Sequence, residues 1–192
     1  RNGFQIAIHA IGDRANREVL DIFDALFDGR DRGVRFRVEH AQHIHPSDIG
    51  RFARLGVIPS VQGIHMSSDR PWAIDRLGAA RVESGAYMWR SLIDSGAVLV
   101  NGTDVPVEPA DPFASFYALV TRKTLQGTPE GGFEPQQKIT RVEALPADTL
   151  NPAFGAFEES FKGRLAPGMV ADFVVLDRDI MTIPAAEILQ TK

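Results

Sequence analysis

The sequence predicts an α/β fold in which a parallel sheet is covered by helices on its outer side. Four short apolar segments alternate with segments of helical periodicity, and consecutive β–α units of this kind form parallel sheets. The composition is 44% hydrophobic and 24% charged, which is typical of a globular protein. A chain of 192 residues is also long enough to bury a core.

The first third of the chain contains strands and helices in strict alternation. The expected elements are strands over 4–10, 34–39 and 57–61 and helices over 13–27 and 46–55. Gly29 follows the first helix as a C-terminal stop, and Pro46 lies in the first turn of the second. Pro59 weakens the third strand, because proline cannot donate a ladder hydrogen bond.

The rest of the chain is less regular. We expect a polar loop over 62–85 with one helical turn, a helix over 87–95, a strand over 97–101, a helix over 112–122 and a loop over 126–138. Thr140 and Glu143 match a capping box, although Pro146 falls where that helix should continue. Residues 161–177 predict two strands joined by a Pro167-Gly168 turn, in a different layer.

Charge and composition exclude several classes of function. The 21 basic and 25 acidic residues give a net charge of 21 − 25 = −4, so nothing indicates a nucleic acid or a membrane as partner. No segment approaches the roughly 18 apolar residues of a membrane helix. The absence of cysteine excludes disulfides, thiolate zinc sites and cysteine nucleophiles. Because the chain starts at Arg1 without a signal peptide, we expect a cytoplasmic location and a piece of a longer protein.

Polar side chains follow each of the four predicted strands. These are His9, then His40, then Gln62 with His65, then Asp104. Active sites of parallel α/β proteins are built at the carboxyl ends of the strands, so this pattern predicts a site there. Two imidazoles and a carboxylate suit a divalent metal, and no phosphate-binding glycine loop or Gly-x-Ser-x-Gly motif competes. The residues therefore favour a metal-dependent hydrolase.

Ordinary structural roles compete at several of these positions. Glu39 competes with His40, since neighbours on a strand face opposite ways. Asp13 could simply cap the first helix, and His43 and His45 need be no more than polar loop residues. The triplet starting at Asn101 matches a glycosylation site, but its apolar flank argues against modification.

Several ordered motifs resemble amidohydrolase family 3, in the branch that contains N-substituted formamide deformylases. They are HAIGDRA at 9–15, VEHAQ at 38–42, YMWRSLIDSG at 87–96, GTDVPV at 102–107 and the tail over 150–180. The resemblance implies a distorted (β/α)₈ barrel with a small β-sandwich built from both chain ends. Residues 1–155 would then be the C-terminal half of the barrel, strands five to eight, and 156–192 part of the sandwich. The missing N-terminal half of the same barrel would be a partner of this chain.

The same resemblance assigns roles to individual residues. It implies that His9 and His40 are metal ligands and that Asp104 is both a ligand and the general base. Gln62, His65 and Asp69 match the loop that lines the substrate pocket. Gly63 departs from the family, which usually carries proline there, and predicts a more mobile loop.

The resulting hypothesis is a hydrolase that cleaves a non-peptide C–N bond of a small amide or formamide by metal-activated water. A deaminase or an esterase could use the same ligands. A non-catalytic barrel fragment with a structural or association role is the alternative from another class, because a half barrel has open sheet edges. Zinc is the expected metal, with Mn²⁺, Fe²⁺ and Co²⁺ close behind. We expect the chain alone to be inactive, and a homo-oligomer is compatible with the sequence.

Overall fold

The computed structural model describes residues 4–192 and contains a four-stranded sheet. Its strands are β1 (Ala7–Ala10), β2 (Arg37–His40), β3 (Ile58–Val61) and β4 (Val100–Asn101), in the spatial order β1-β2-β3-β4. The pairs β1–β2 and β2–β3 are parallel, with His9 opposite Glu39 and Ala10 opposite His40. The predicted α/β fold with a parallel sheet is confirmed, whereas the half-barrel and the division into 1–155 and 156–192 stay predictions.

The chain divides into two compact units. The first extends to Val61 and also includes Trp72–Val100, and the second consists of Gln62–Pro71 and Asn101–Lys192. In the first unit, helix α1 (Asp13–Phe27) packs on β1 and on α2 (Ile49–Leu55). The core of this unit is apolar and fully buried, and includes Leu20, Phe23, Val38, Phe52 and Leu55.

The predicted polar loop over 62–85 is wrong, because this segment is mostly helical. It forms α3 (Gly63–Leu77) and α4 (Ala79–Gly85), and α5 (Trp89–Asp94) follows. The start of α3 buries polar residues such as His65 and Arg70, so the apolar periodicity that signals a helix is weak. Gly63 is close-packed, since a Cβ there would lie 2.5 Å from the Ser115 carbonyl oxygen.

The second unit is built around α6 (Pro112–Thr121), which is buried along most of its length. Helix α7 (Arg141–Asp148) and a 3₁₀ helix (Ala185–Gln190) pack against it, and α8 (Leu150–Gly155) packs on α7. The predicted capping box is confirmed: the Thr140 N–H donates to Glu143 Oε2 at 2.8 Å. The helix continues past Pro146 to Asp148, which resolves the conflict noted in the sequence.

The strand pair predicted over 161–177 is wrong for this structure, because no strand is assigned to those residues. The segments before and after the Pro167-Gly168 turn share a backbone hydrogen bond, from Val170 N–H to the Phe161 carbonyl at 2.7 Å. Val174 and Val175 are 80% and 84% exposed, so the apolar side chains that suggested strands are not covered by the described part of the chain. A strand needs a ladder partner for its backbone groups, and a sequence pattern shows the preference without supplying that partner.

None of the helices described between residues 4 and 192 combines the length and the apolar composition that crossing a bilayer requires.

A buried asparagine fixes the turn after β1. The Asn16 side-chain nitrogen lies 3.1 Å from the Ala10 carbonyl oxygen, 3.0 Å from that of Gly12 and 3.2 Å from that of His43. We expect Asn16→Ala to lower the free energy of unfolding by about 1–3 kcal/mol, because buried carbonyls lose their donor. Asn16→Asp should cost more, since it places a carboxylate against those oxygens. Urea unfolding checks this order; an Asp variant as stable as the wild type would contradict it.

A second prediction concerns Asp148 at the end of α7. Burial raises the pKa of this carboxyl to about 6 from 3.8, against the opposing effect of a hydrogen bond from Asn101. The unfolded chain therefore ionises first, and stability is lost as the pH rises through about 6. Relative to Asp148→Asn, the wild type should lose on the order of 2 kcal/mol of unfolding free energy between pH 4 and pH 7.5. Urea unfolding at each pH measures this difference. A difference in unfolding free energy between the two proteins that stays constant across this pH range would contradict the raised pKa of Asp148.

Candidate metal centre

In the first unit, the ends of β1 and β2 bring two histidines together. The His9 and His40 ring centroids lie 4.6 Å apart in an edge-to-face arrangement. The register places Ala10, not His9, opposite His40, so extended strands alone would not make this pair. His40 instead adopts a left-handed backbone with φ of 75°, and Ala41 follows with φ of 43°. This conformation costs on the order of 1 kcal/mol per residue and turns the end of β2 out of the regular strand.

The segment after His40 is held by an antiparallel contact. Tyr87 N–H donates to the Gln42 carbonyl at 2.7 Å, and Gln42 Nε2 donates to the Tyr87 hydroxyl at 2.8 Å. Glu39, the competitor of His40, accepts from Arg37 Nε at 2.8 Å. Glu39 is therefore paired with a guanidinium, whereas His40 faces another imidazole.

In the second unit, His65 and Asp104 form another pair. His65 Nε2 lies 3.6 Å from Asp104 Oδ2, which is longer than a good hydrogen bond. Two ligands of one tetrahedral zinc ion, each about 2.1 Å from the metal, lie roughly 3.4 Å apart, so this spacing fits a shared cation. Asp104 also has a left-handed backbone, with φ of 60°. His65 is buried in the first turn of α3, and Asp104 is about one-third exposed.

A buried amide lies between the elements that carry this second pair. Asn101 Oδ1 accepts from Gly63 N–H at 2.8 Å and from Ser115 Oγ at 3.0 Å. Asn101 Nδ2 donates to Asp148 Oδ1 at 2.6 Å. Sequence reasoning missed this network and treated Asn101 only as a glycosylation candidate. An asparagine at the end of the apolar strand AVLVN was the available signal, since such a position demands hydrogen-bond partners.

The remaining predicted residues have simpler surroundings. Gln62 is buried directly before α3, and Asp69 is half-buried on α3, one turn after His65. Gly12, not Asp13, is the N-cap of α1; Asp13 lies in the first turn, where it accepts from Arg14 N–H at 2.8 Å and from Arg81 Nη2 at 2.9 Å. His45 Nδ1 accepts from Ser47 N–H at 3.2 Å, which caps the short helix that follows.

The structure thus brings together His9 with His40 in one unit and His65 with Asp104 in the other. All four carry atoms that bind divalent metals, and His40 and Asp104 are held in left-handed conformations. Strained backbone of this kind concentrates at functional sites. The donor atoms are imidazole nitrogens and carboxylate oxygens, which are borderline and hard ligands, respectively. Such ligands suit zinc and other divalent first-row metals.

Comparison with other protein sequences shows that this chain resembles part of several longer proteins. It is 37% identical over 177 residues to Protein LONG AFTER FAR-RED 3 of Arabidopsis thaliana, covering 92% of this chain and 30% of that protein. It is 33% identical to the putative amidohydrolase YtcJ of Bacillus subtilis, covering 97% and 35%. It is 28% identical to N-substituted formamide deformylase of Arthrobacter pascens, covering 97% and 34%. The chain therefore spans about a third of the length of each relative.

A solved structure also matches this chain over part of its own length. An uncharacterised metal-dependent hydrolase from Pyrococcus horikoshii superposes with a TM-score of 0.81 at 33% identity, covering 95% of this chain and 36% of that one. The sequence profile described as the amidohydrolase family matches residues 1–192, from end to end. The expected resemblance is confirmed, and the chain belongs to amidohydrolase family 3.

Proposed function

We propose that this chain supplies metal ligands and the general base of a metal-dependent hydrolase. His9, His40 and Asp104 are the proposed ligands, as the sequence predicted. We add His65, first assigned to the substrate pocket, as a further nitrogen ligand. The observation that carries the proposal is the 3.6 Å spacing of His65 Nε2 and Asp104 Oδ2, which suits a shared cation.

A bound divalent cation would polarise the scissile carbonyl and lower the pKa of water. Asp104 is the residue that moves the proton: its carboxylate accepts a proton from the attacking water and returns it to the departing nitrogen. The Asp104 side chain is 35% exposed, which leaves it open to a substrate, whereas the His65 side chain is only 8% exposed. The left-handed backbone at Asp104 sets the direction of its Cα–Cβ bond, and a carboxylate that is held in place needs less reorganisation during the reaction.

The substrate class we propose is a small amide or formamide cleaved at a non-peptide C–N bond. The relationship to N-substituted formamide deformylase supports this class, at 28% identity. Gln62 lies just before α3, and Asp69 lies on α3 one turn after His65. Both are proposed to contact the substrate. A deaminase or an ester hydrolase would use the same proton transfer by Asp104, so a substrate panel decides among the three.

The relatives are about three times as long as this chain, and we propose that further ligands and pocket residues come from the corresponding additional segments. The exposed apolar stretch around Val174 and Val175 is proposed to pair with strands from such a segment, as in a composite sandwich. An isolated association role would leave the pairing of four metal-binding side chains unexplained.

Metal binding gives the first test of this proposal. Isothermal titration of the metal-free protein with Zn²⁺ should show a saturable site, and His40→Ala or Asp104→Ala should weaken it at least tenfold, because each removes a ligand. His45→Ala is the matched control, since His45 caps a short helix and takes no part in the site. Equal weakening by all three substitutions would mean that the measured binding is non-specific.

Turnover gives the second test. In the active enzyme, Asp104→Asn should lower kcat by about 10²–10⁴-fold with little change in KM, because the amide keeps the shape of the carboxylate but cannot accept the proton. Both constants are obtained by using chromatography to measure the release of amine from an N-substituted formamide. Metal analysis of the variant shows whether the ion is retained. Near-normal turnover in a metal-loaded Asp104→Asn protein would assign the base to another residue.

A further inference from the structure

We propose that Asn101 is a positioning residue that sets the spacing between His65 and Asp104. The inference rests on the proposed function, in which these two side chains bind one cation. It concerns the second unit alone, where all the residues involved lie.

The Asn101 side chain links three elements at once. It extends from the end of β4, accepts from Gly63 N–H at the start of α3 and from Ser115 Oγ on α6, and donates to Asp148 on α7. Asn101 is 7% exposed, so water cannot readily replace these partners.

The covalent paths from this amide to the two proposed ligands are short. His65 lies two positions after Gly63, and Asp104 lies three positions after Asn101. Any shift of the Gly63 N–H relative to Asn101 Oδ1 therefore moves the imidazole relative to the carboxylate by a similar distance. The 3.6 Å spacing of the two ligand atoms depends on a hydrogen bond two residues away.

The start of α3 cannot relieve such a shift by sliding. A Cβ at Gly63 would lie 2.5 Å from the Ser115 carbonyl oxygen and 2.8 Å from Leu119 Cγ, so this turn is already pressed against α6. Ile64 N–H also donates to Ser115 Oγ at 3.2 Å. The first two amides of α3 are thus both held by the Asn101–Ser115 pair.

Only an amide meets every requirement at position 101. Aspartate would accept from Gly63 but would face the Asp148 carboxylate, 2.6 Å from the present Asn101 nitrogen. An aliphatic residue would leave the Gly63 N–H without an acceptor and the Ser115 hydroxyl with only the more distant Gly102 carbonyl, at 3.3 Å. The residue is therefore constrained by hydrogen bonding on both ends of its side chain.

The test is a titration of the metal-free protein with Co²⁺, monitored by visible absorption. The absorption bands report both the affinity for Co²⁺ and the geometry of its ligands. We expect Asn101→Ala to weaken Co²⁺ binding by about 10–100-fold, the range for residues that orient metal ligands, and to change the band shape. Thr121→Val is the matched control: it removes a buried hydrogen bond of α6, from Thr121 Oγ1 to the Tyr117 carbonyl at 2.7 Å, away from Gly63 and Asn101. It should lower the melting temperature while leaving affinity and spectrum unchanged.

The outcomes separate this inference from the proposed function. A wild-type protein that binds no Co²⁺ overturns both. A wild-type protein that binds Co²⁺, together with a folded Asn101→Ala protein of the same affinity and spectrum, overturns the positioning role alone. If Asn101→Ala does not fold, Ser115→Ala replaces it, since that variant keeps Asn101 and Asp148 and removes only the hydroxyl. A smaller loss of affinity is expected there, and unchanged binding overturns the inference.

Discussion

Parallel pairing of β1, β2 and β3 is the interaction on which the rest of the molecule depends, because it makes these strands end at one edge of the sheet. Chemistry-bearing side chains that are 31 residues apart in sequence, His9 and His40, become neighbours for this reason. Pairing alone is not sufficient, however. The alternation of side chains along a strand would place the two imidazoles on opposite faces, and the left-handed turn at His40 overcomes that alternation.

Buried polar side chains determine the local geometry around both histidine-containing pairs. Asn16 ties the turn after β1 to the segment after β2, and Asn101 ties the end of β4 to the start of α3. Each amide satisfies backbone groups that would otherwise be buried without a partner. Apolar packing places the turn after β1 and the segment after β4 only approximately. The hydrogen bonds of Asn16 and Asn101 then select one conformation of each.

Elements whose sequence shows a strong periodic or capping signal were predictable. Helix α1 begins and ends at the predicted residues, and the capping box at Thr140 forms as expected. Helix α3 was not predictable, since its buried side includes His65 and Arg70, and Arg70 is stabilised there by an ion pair with Glu134 that is 64 residues distant. The residues at the strand ends could be named from the sequence. The 3.6 Å approach of His65 to Asp104 and the role of Asn101 could not, because both depend on hydrogen bonds between distant segments.

The left-handed conformations of His40 and Asp104 have a consequence for how this protein can change. Glycine adopts such a conformation at no steric cost, so replacing either residue by glycine would remove backbone strain, against the entropy that glycine gains in the unfolded chain, while deleting a proposed ligand. Backbone strain therefore gives selection for thermal stability alone no reason to keep these two side chains. A laboratory evolution experiment on this chain must therefore screen for metal binding as well as for resistance to heat.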